Sequence, residues 1–214
     1  MTDNTTAIPT PPLSSSAPTQ FDRAAAWSLL TEWTLGESLR KHALAVETCV
    51  VAYGAQEADR LGLQHAERES LITLYSTTAL LHDFDYERHP SLEEHPFVGV
   101  RELQRLGWPE PLRTAILGHA TYSGVARESH LAKVLFACDE LSGFLTACAL
   151  VKPTRAIADV EPVGVRKKLK DKAFARGVSR QDVLQGAAEL GVELESHIAF
   201  CLSAMQSQAA LLGL

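Results

Sequence analysis

The sequence predicts an all-α fold, a single bundle of about eight or nine helices around one core. Three observations predict it. Apolar residues recur at spacings of three and four from Phe21 almost to the C-terminus, the period of one helix face. Strand-type alternation is scarce. Helix start and stop signals divide the chain at regular intervals, among them Pro96, Gly107, Pro109 and Pro153. With 214 residues, 46% of them hydrophobic and 21% charged, the chain can bury a full core without a disulfide or metal to hold it.

Residues 1–20 stand apart. Twelve of the twenty are Thr, Pro or Ser, too little apolar surface to offset the entropy of ordering, so a tail is expected before a single domain at 21–214. Residues 21–33 carry Phe21, Trp27, Leu30 and Trp33 on roughly one stripe, and 36–53 carry Leu39, Ala43, Val46 and Val50. Residues 66–82 open on Glu67 and Glu69 and end in Ala79-Leu80-Leu81, a helix of four to five turns. A helix is expected from Pro96 to Gly107, and a shorter one from Pro109 to His119. Residues 128–151 make a long apolar helix closed by Pro153. A basic helix is expected at 162–174. Ser179 with Asp182 resembles a capping box for the next helix, and 193–212 make the last.

There are 20 Lys and Arg against 26 Asp and Glu, a formal charge of -6, which argues against a nucleic-acid-coating surface. Cys49, Cys138, Cys148 and Cys201 share no CxxC spacing and sit in apolar surroundings, as free buried thiols in a reducing compartment do. No stretch approaches the ~20 apolar residues of a membrane span. Residues 1–20 lack both the basic start and the apolar core of an export signal. A cytoplasmic protein is expected, and several apolar helices leave room for a homodimer.

Six residues carry the chemistry. His82-Asp83 closes the run Ser76–Leu81; by itself the pair also reads as a helix-ending His followed by a turn-forming Asp. Asp139 lies within an apolar helix, on the side of Leu135, Ser142 and Thr146. A carboxylate there needs a cation or strong donors. Lys133 is one partner to weigh and a metal ion the other. His42 sits on the apolar side of its helix among Leu39, Ala43 and Val46, where a satisfied core histidine is the ordinary reading. His95, at a helix start, and His119, at a helix end, each read as caps when taken singly. Together, four of the eight histidines and two aspartates sit at helix ends or on buried faces. Imidazole with carboxylate suits Mn, Fe, Co, Ni or Zn. Six such ligands exceed one structural zinc and suit one or two divalent transition metals, which activate water and clamp a phosphoryl oxygen.

The order His42, His82-Asp83, Asp139 resembles the H…HD…D signature of the HD-domain superfamily of metal-dependent phosphohydrolases, and His95 and His119 resemble the two histidines added in its HDIG-type and binuclear branches. Four stretches are similar to a bacterial subgroup of HDIG-type hydrolases: Leu81–Glu87, Gly118–Tyr122, Ala137–Phe144 and Lys167–Ala175. The similarity spans about residues 35–197. It implies an HD-domain helical bundle in which His42, His82, Asp83 and Asp139 hold a first metal. Asp83 would bridge to a second held by His95 and His119, with His82 and Asp83 as the catalytic pair. Phe84-Asp85 stands where that motif has Ile-Gly, and no Gly-Tyr-Pro follows, which argues against cyclic-dinucleotide cleavage. Ala120 follows His119 where some binuclear relatives have a further His, one ligand fewer for the second metal.

Around these, Asp85 can orient a liganding imidazole from behind, or serve the turn alone. Arg166, Lys167 and Lys170 belong to a basic run of seven between 166 and 180. It is either a phosphate-binding surface or a solvated helix face; Arg127 and Lys133 are second candidates for phosphate. Tyr122 and Trp108 can stack a base or pack at a rim. The resulting expectation is hydrolysis of a small phosphorylated substrate, a nucleotide or metabolite, by metal-activated hydroxide. Two alternatives share the ligands: an HD-fold di-iron oxygenase, and a non-catalytic nucleotide-binding module.

Overall fold

A computed structural model describes residues 21–214, so the tail expected at 1–20 lies outside the described residues. Among the described residues there are ten α-helices, two 3-10 turns and no strand. In order the helices are α1 (Arg23–Trp33), α2 (Glu37–Arg60), α3 (His65–Leu81), α4 (Phe97–Arg105), α5 (Glu110–His119) and α6 (His130–Leu150). They continue with α7 (Pro162–Leu169), α8 (Arg180–Leu190), α9 (Leu194–Ser207) and α10 (Ala209–Leu212). None is long and apolar enough to cross a membrane.

The most apolar helix, α6, runs through the centre, with α2, α5 and α8 packed on it and α3 lying along α2. Leu135, Leu141, Phe144 and Leu145 of α6 are fully buried, as expected of a helix covered on most sides. Its N-terminus is fixed by Ser129, whose side chain accepts from the Ala132 N–H. Two glycines set the closest approaches. A Cβ on Gly54 would stand 2.9 Å from the Tyr75 ring, and one on Gly186 only 2.6 Å from the Ala137 backbone. The first brings α3 onto α2, the second α8 onto α6.

Three boundaries differ from the sequence expectation, each for a non-local reason. α2 runs on to Arg60 because Gly54, which weakens a helix locally, is the contact point with α3. The basic helix stops at Leu169. The turns after it are held by Arg180, whose guanidinium donates to the Asp171, Phe174, Ala175 and Val178 carbonyls and lies over the Phe144 ring. The last helix breaks at Gln208 into α9 and α10.

The segment joining α3 to α4, which starts at His82-Asp83, is stapled to the joint between α1 and α2. The Thr34 hydroxyl donates to the Phe84 carbonyl at 3.0 Å. The Glu87 carboxylate accepts from the Leu35 and Gly36 N–H groups at 3.2 and 2.7 Å, serving the start of α2 where Gly36 brings no side-chain cap. Arg88 donates to the Glu32 carbonyl and lies over Trp33. This fixes the start of α2, and with it His42, relative to His82 and Asp83.

Candidate metal centre

The six residues arrive from five different places in the fold. His42 comes from the second turn of α2, His82 and Asp83 from the end of α3, His95 from just before α4, His119 from the last residue of α5, and Asp139 from the middle of α6. The fold brings all six together. Three histidines are oriented from behind. The Nδ1–H of His82 donates to the Ala79 carbonyl at 2.7 Å and that of His119 to the Ile116 carbonyl at 2.5 Å. Each uses a carbonyl that the end of its own helix leaves free. The Nδ1–H of His95 donates to Asp85 Oδ1 at 2.7 Å. Asp85 is fully buried, and its Oδ2 accepts from the Gly99 N–H at 2.7 Å. A Cβ on Gly99 would sit 2.8 Å from that carboxylate, so the glycine is what lets α4 close on it.

With Nδ1 so engaged, the Nε2 atoms point inward. His82 Nε2 lies 3.2 Å from Asp83 Oδ2 and 3.4 Å from Asp139 Oδ1; His42 Nε2 lies 3.0 Å from Asp139 Oδ1 and 3.8 Å from Asp83 Oδ2. On the other side of Asp83, Oδ1 is 3.3 Å from both His95 Nε2 and His119 Nε2. The donors therefore form two adjoining groups, His42, His82, Asp83 and Asp139, and Asp83, His95 and His119, sharing Asp83 through its two oxygens.

These groups fit metal ions. Donors bound at about 2.1 Å to one ion stand about 3.0 Å apart in octahedral and about 3.4 Å apart in tetrahedral geometry; five of the six separations above fall in that range, and His42–Asp83 is longer at 3.8 Å. His82 Nε2 is fully buried and has no hydrogen-bond partner, an orphan that a metal ion would satisfy. The electrostatics agree. Burial alone would lower the His82 pKa, but Asp83 and Asp139 outweigh it and hold it well above the ordinary imidazole value. Burial likewise opposes the charge on His95, yet Asp83 and Asp85 raise its pKa to about 9. Burial would raise the pKa of Asp83, but the charge of His82 and the donors from His119 and His95 bring it well below the usual carboxylate range. The carboxylates stay ionised and call for positive charge, supplied by protons or by metal.

The cluster lies at the base of an open cavity of about 330 Å³, whose walls include Tyr86, Leu92, Thr121, Tyr122, Glu140 and Asp182. The Tyr122 hydroxyl donates to the His95 carbonyl at 2.9 Å, and Tyr86 meets the His95 ring edge-on. Glu140 accepts from the Ser179 N–H at 3.0 Å. The Ser179–Asp182 motif therefore caps α8 on one side only, with Ser179 Oγ accepting from the Asp182 N–H.

Two alternatives that the sequence leaves open are narrowed by position. Arg166, Lys167 and Lys170 do not line the cavity. α7 buries Val165 and leaves Arg166 and Lys167 exposed, while Lys168 is half-buried with its ammonium over the Phe174 ring. Arg166 donates to Glu195 at 2.7 Å, and Arg166 and Lys170 border a separate cavity of about 230 Å³ with Arg180 and Leu184. Lys133 is not the partner of Asp139, whose neighbours are His42 and His82. Trp108 is buried against Phe21. The sequence reading missed Glu87 and Thr34, whose partners lie about 50 residues away, and it saw Asp182 only as a cap; nothing local in the sequence marks these roles. Comparison with family models, with curated proteins and with solved structures gave no match.

Proposed function

We propose that this chain is a metal-dependent phosphohydrolase of the HD type, acting on a small phosphorylated substrate. The observation that carries this reading is the pair of donor groups sharing Asp83 at the base of an open cavity. His42, His82, Asp139 and Asp83 Oδ2 would hold one divalent transition metal, and Asp83 Oδ1, His95 and His119 a second. A metal pair bound there supplies a water deprotonated near neutral pH and a clamp on the phosphoryl oxygens.

The chain's own residues do the rest. Ala79, Ile116 and Asp85 hold the three imidazoles in the tautomer that aims Nε2 at the cavity. Asp83 and Asp139 keep their charge, so the site attracts cations and reaches an anionic phosphoester only once these are bound. Tyr86, Leu92 and Tyr122, all exposed, form an apolar rim against which the organic part of a substrate can pack. In the reaction, the ester P–O bond breaks as a P–O bond to water forms, and the proton from water ends on the leaving alcohol.

The test is phosphate release from a panel of phosphomonoesters and nucleotides by protein purified without chelator, beside a His82→Ala/Asp83→Ala variant. Release by the wild type and its loss in the variant is the expected result. Release that survives the double substitution would remove the assignment. Iron content with oxygen uptake and no phosphate release would replace it by the oxygenase alternative.

A further inference from the structure

A second, larger cavity, about 870 Å³, shares Thr121 and Asp182 with the metal-centre cavity and is otherwise lined by Gly124–Arg127, Lys133, Ser179, Gln181, Gln185 and Glu189. We propose that this groove receives the leaving group of the substrate, and that Lys133 makes the enzyme select a phosphoester whose organic half carries a second anionic group. The proposal rests on the phosphohydrolase reading and extends it to substrate class.

The charges of the groove carry the argument. Arg127 is already used: its Nε and Nη2 donate to the Glu189 carboxylate at 2.7 and 2.8 Å, its Nη1 to the Gly118 carbonyl at 2.7 Å, and its plane lies over the Phe136 ring. Gln185 donates to the same Glu189 carboxylate at 2.7 Å. These three side chains form a wall whose charges cancel. Lys133, half-buried on the first turn of α6, makes no ion pair and no side-chain hydrogen bond among the described residues. It lines the groove and not the metal cavity, so an anion paired with it lies away from the phosphoryl group held at the metals. Asp182, where the cavities join, likewise has no cationic partner among the described residues, and its carboxylate can accept from a hydroxyl or amine close to the ester oxygen. The matching molecule has a phosphoester, a hydroxyl or amine beside it, and a carboxylate or second phosphate further along. An ammonium meeting an anion in this open groove gives a charge-assisted hydrogen bond, stronger than a neutral one.

The test is calorimetric binding of three matched pairs that differ in the second anion: glycerol 3-phosphate with 3-phosphoglycerate, ribose 5-phosphate with ribose 1,5-bisphosphate, and AMP with adenosine 3′,5′-bisphosphate. Inorganic phosphate reports the metal centre alone. In at least one pair the second anion is expected to tighten binding roughly tenfold, the effect of one charge-assisted hydrogen bond. Lys133→Gln is expected to remove that gain and Lys133→Arg to keep part of it, with inorganic phosphate binding unchanged in both. No gain in any pair, a gain that survives Lys133→Gln, or no binding at all would overturn the proposal. Phosphate release from the same six compounds is measured alongside: its absence would count against the phosphohydrolase reading, while the binding data decide the groove independently.

Discussion

Among the described residues, two regions bring metal-competent atoms within 4.8 Å of one another, and they differ in how well they could take an ion. The first is the His/Asp centre. The second is Cys138, His197 and Cys201, on α6 and α9, all fully buried. In the second, both ring nitrogens are spent: Nε2–H of His197 donates to the Ala137 carbonyl at 2.9 Å, and the Tyr53 hydroxyl donates to Nδ1 at 2.8 Å. Burial raises the pKa of both thiols, and a metal would need them deprotonated. At the first, the Nδ1 atoms of His82, His95 and His119 are anchored, the Nε2 atoms converge, one of them is an orphan, and a cavity reaches them. Proximity of donors is shared; what differs is which nitrogen is left over and whether solvent can arrive.

The largest effect that would break this contrast is at Asp83, the one residue in both donor groups. Asp83→Asn is expected to lower activity on the order of 10³-fold or more and to remove metal from both positions, read by elemental analysis. Loss at one position only would deny the bridging role. Asp85→Ala separates the two halves of the centre. It frees His95 to rotate and should weaken metal binding about 10–100-fold, with the effect confined to the weaker of two transitions in a metal titration; an equal effect on both transitions would contradict it.

Gly99→Ala should act on the same carboxylate through packing. It is expected to cost about 1–3 kcal/mol of stability, read by chemical denaturation. On the other side of the comparison, Cys201→Ala is expected to cost about 1–2 kcal/mol and to leave metal content and activity unchanged. A change in metal content there would mean that the buried group does bind an ion.

Protonation sharpens the contrast in metal-free protein. Burial lowers the His197 pKa, so its folded state binds the proton less well than the unfolded chain, whose histidine titrates near about 6.5. Its contribution to stability is therefore present above that value and is lost as pH falls below it. His95 is the reverse: with its pKa raised to about 9, its contribution is present below about 6.5 and is lost as pH rises through 9. Imidazole NMR should show His95 charged and His197 neutral at pH 7.

Much of the helical pattern was legible because it is local. The stripe of α2, the capping serine Ser179, and the apolar length of α6 are all properties of neighbouring residues. The six-residue cluster could be singled out because four histidines and two aspartates, each ordinary when taken singly, gather at helix ends and on apolar faces in numbers that caps and core histidines do not explain. What was not legible depends on partners far along the chain. Gly54 reads as a weak point in a helix and acts as a contact with α3. Glu87 shows in the sequence only as the end of the Leu81–Glu87 stretch, yet it serves the start of α2. The basic run at 166–180 invited a phosphate-binding role, yet which face of α7 is covered is decided by Val165 packing inward, which charge alone does not reveal. Lys133 was weighed against Asp139 by proximity in sequence, but it points into the groove beside Arg127 and Glu189.

The central claim is that two ions share Asp83. The most direct measurement is metal content per chain, by elemental analysis of protein purified without chelator, for the wild type and for a His95→Ala/His119→Ala variant. The account predicts about two ions in the first and about one in the second. The same content in both proteins, or none in either after reconstitution, would contradict it.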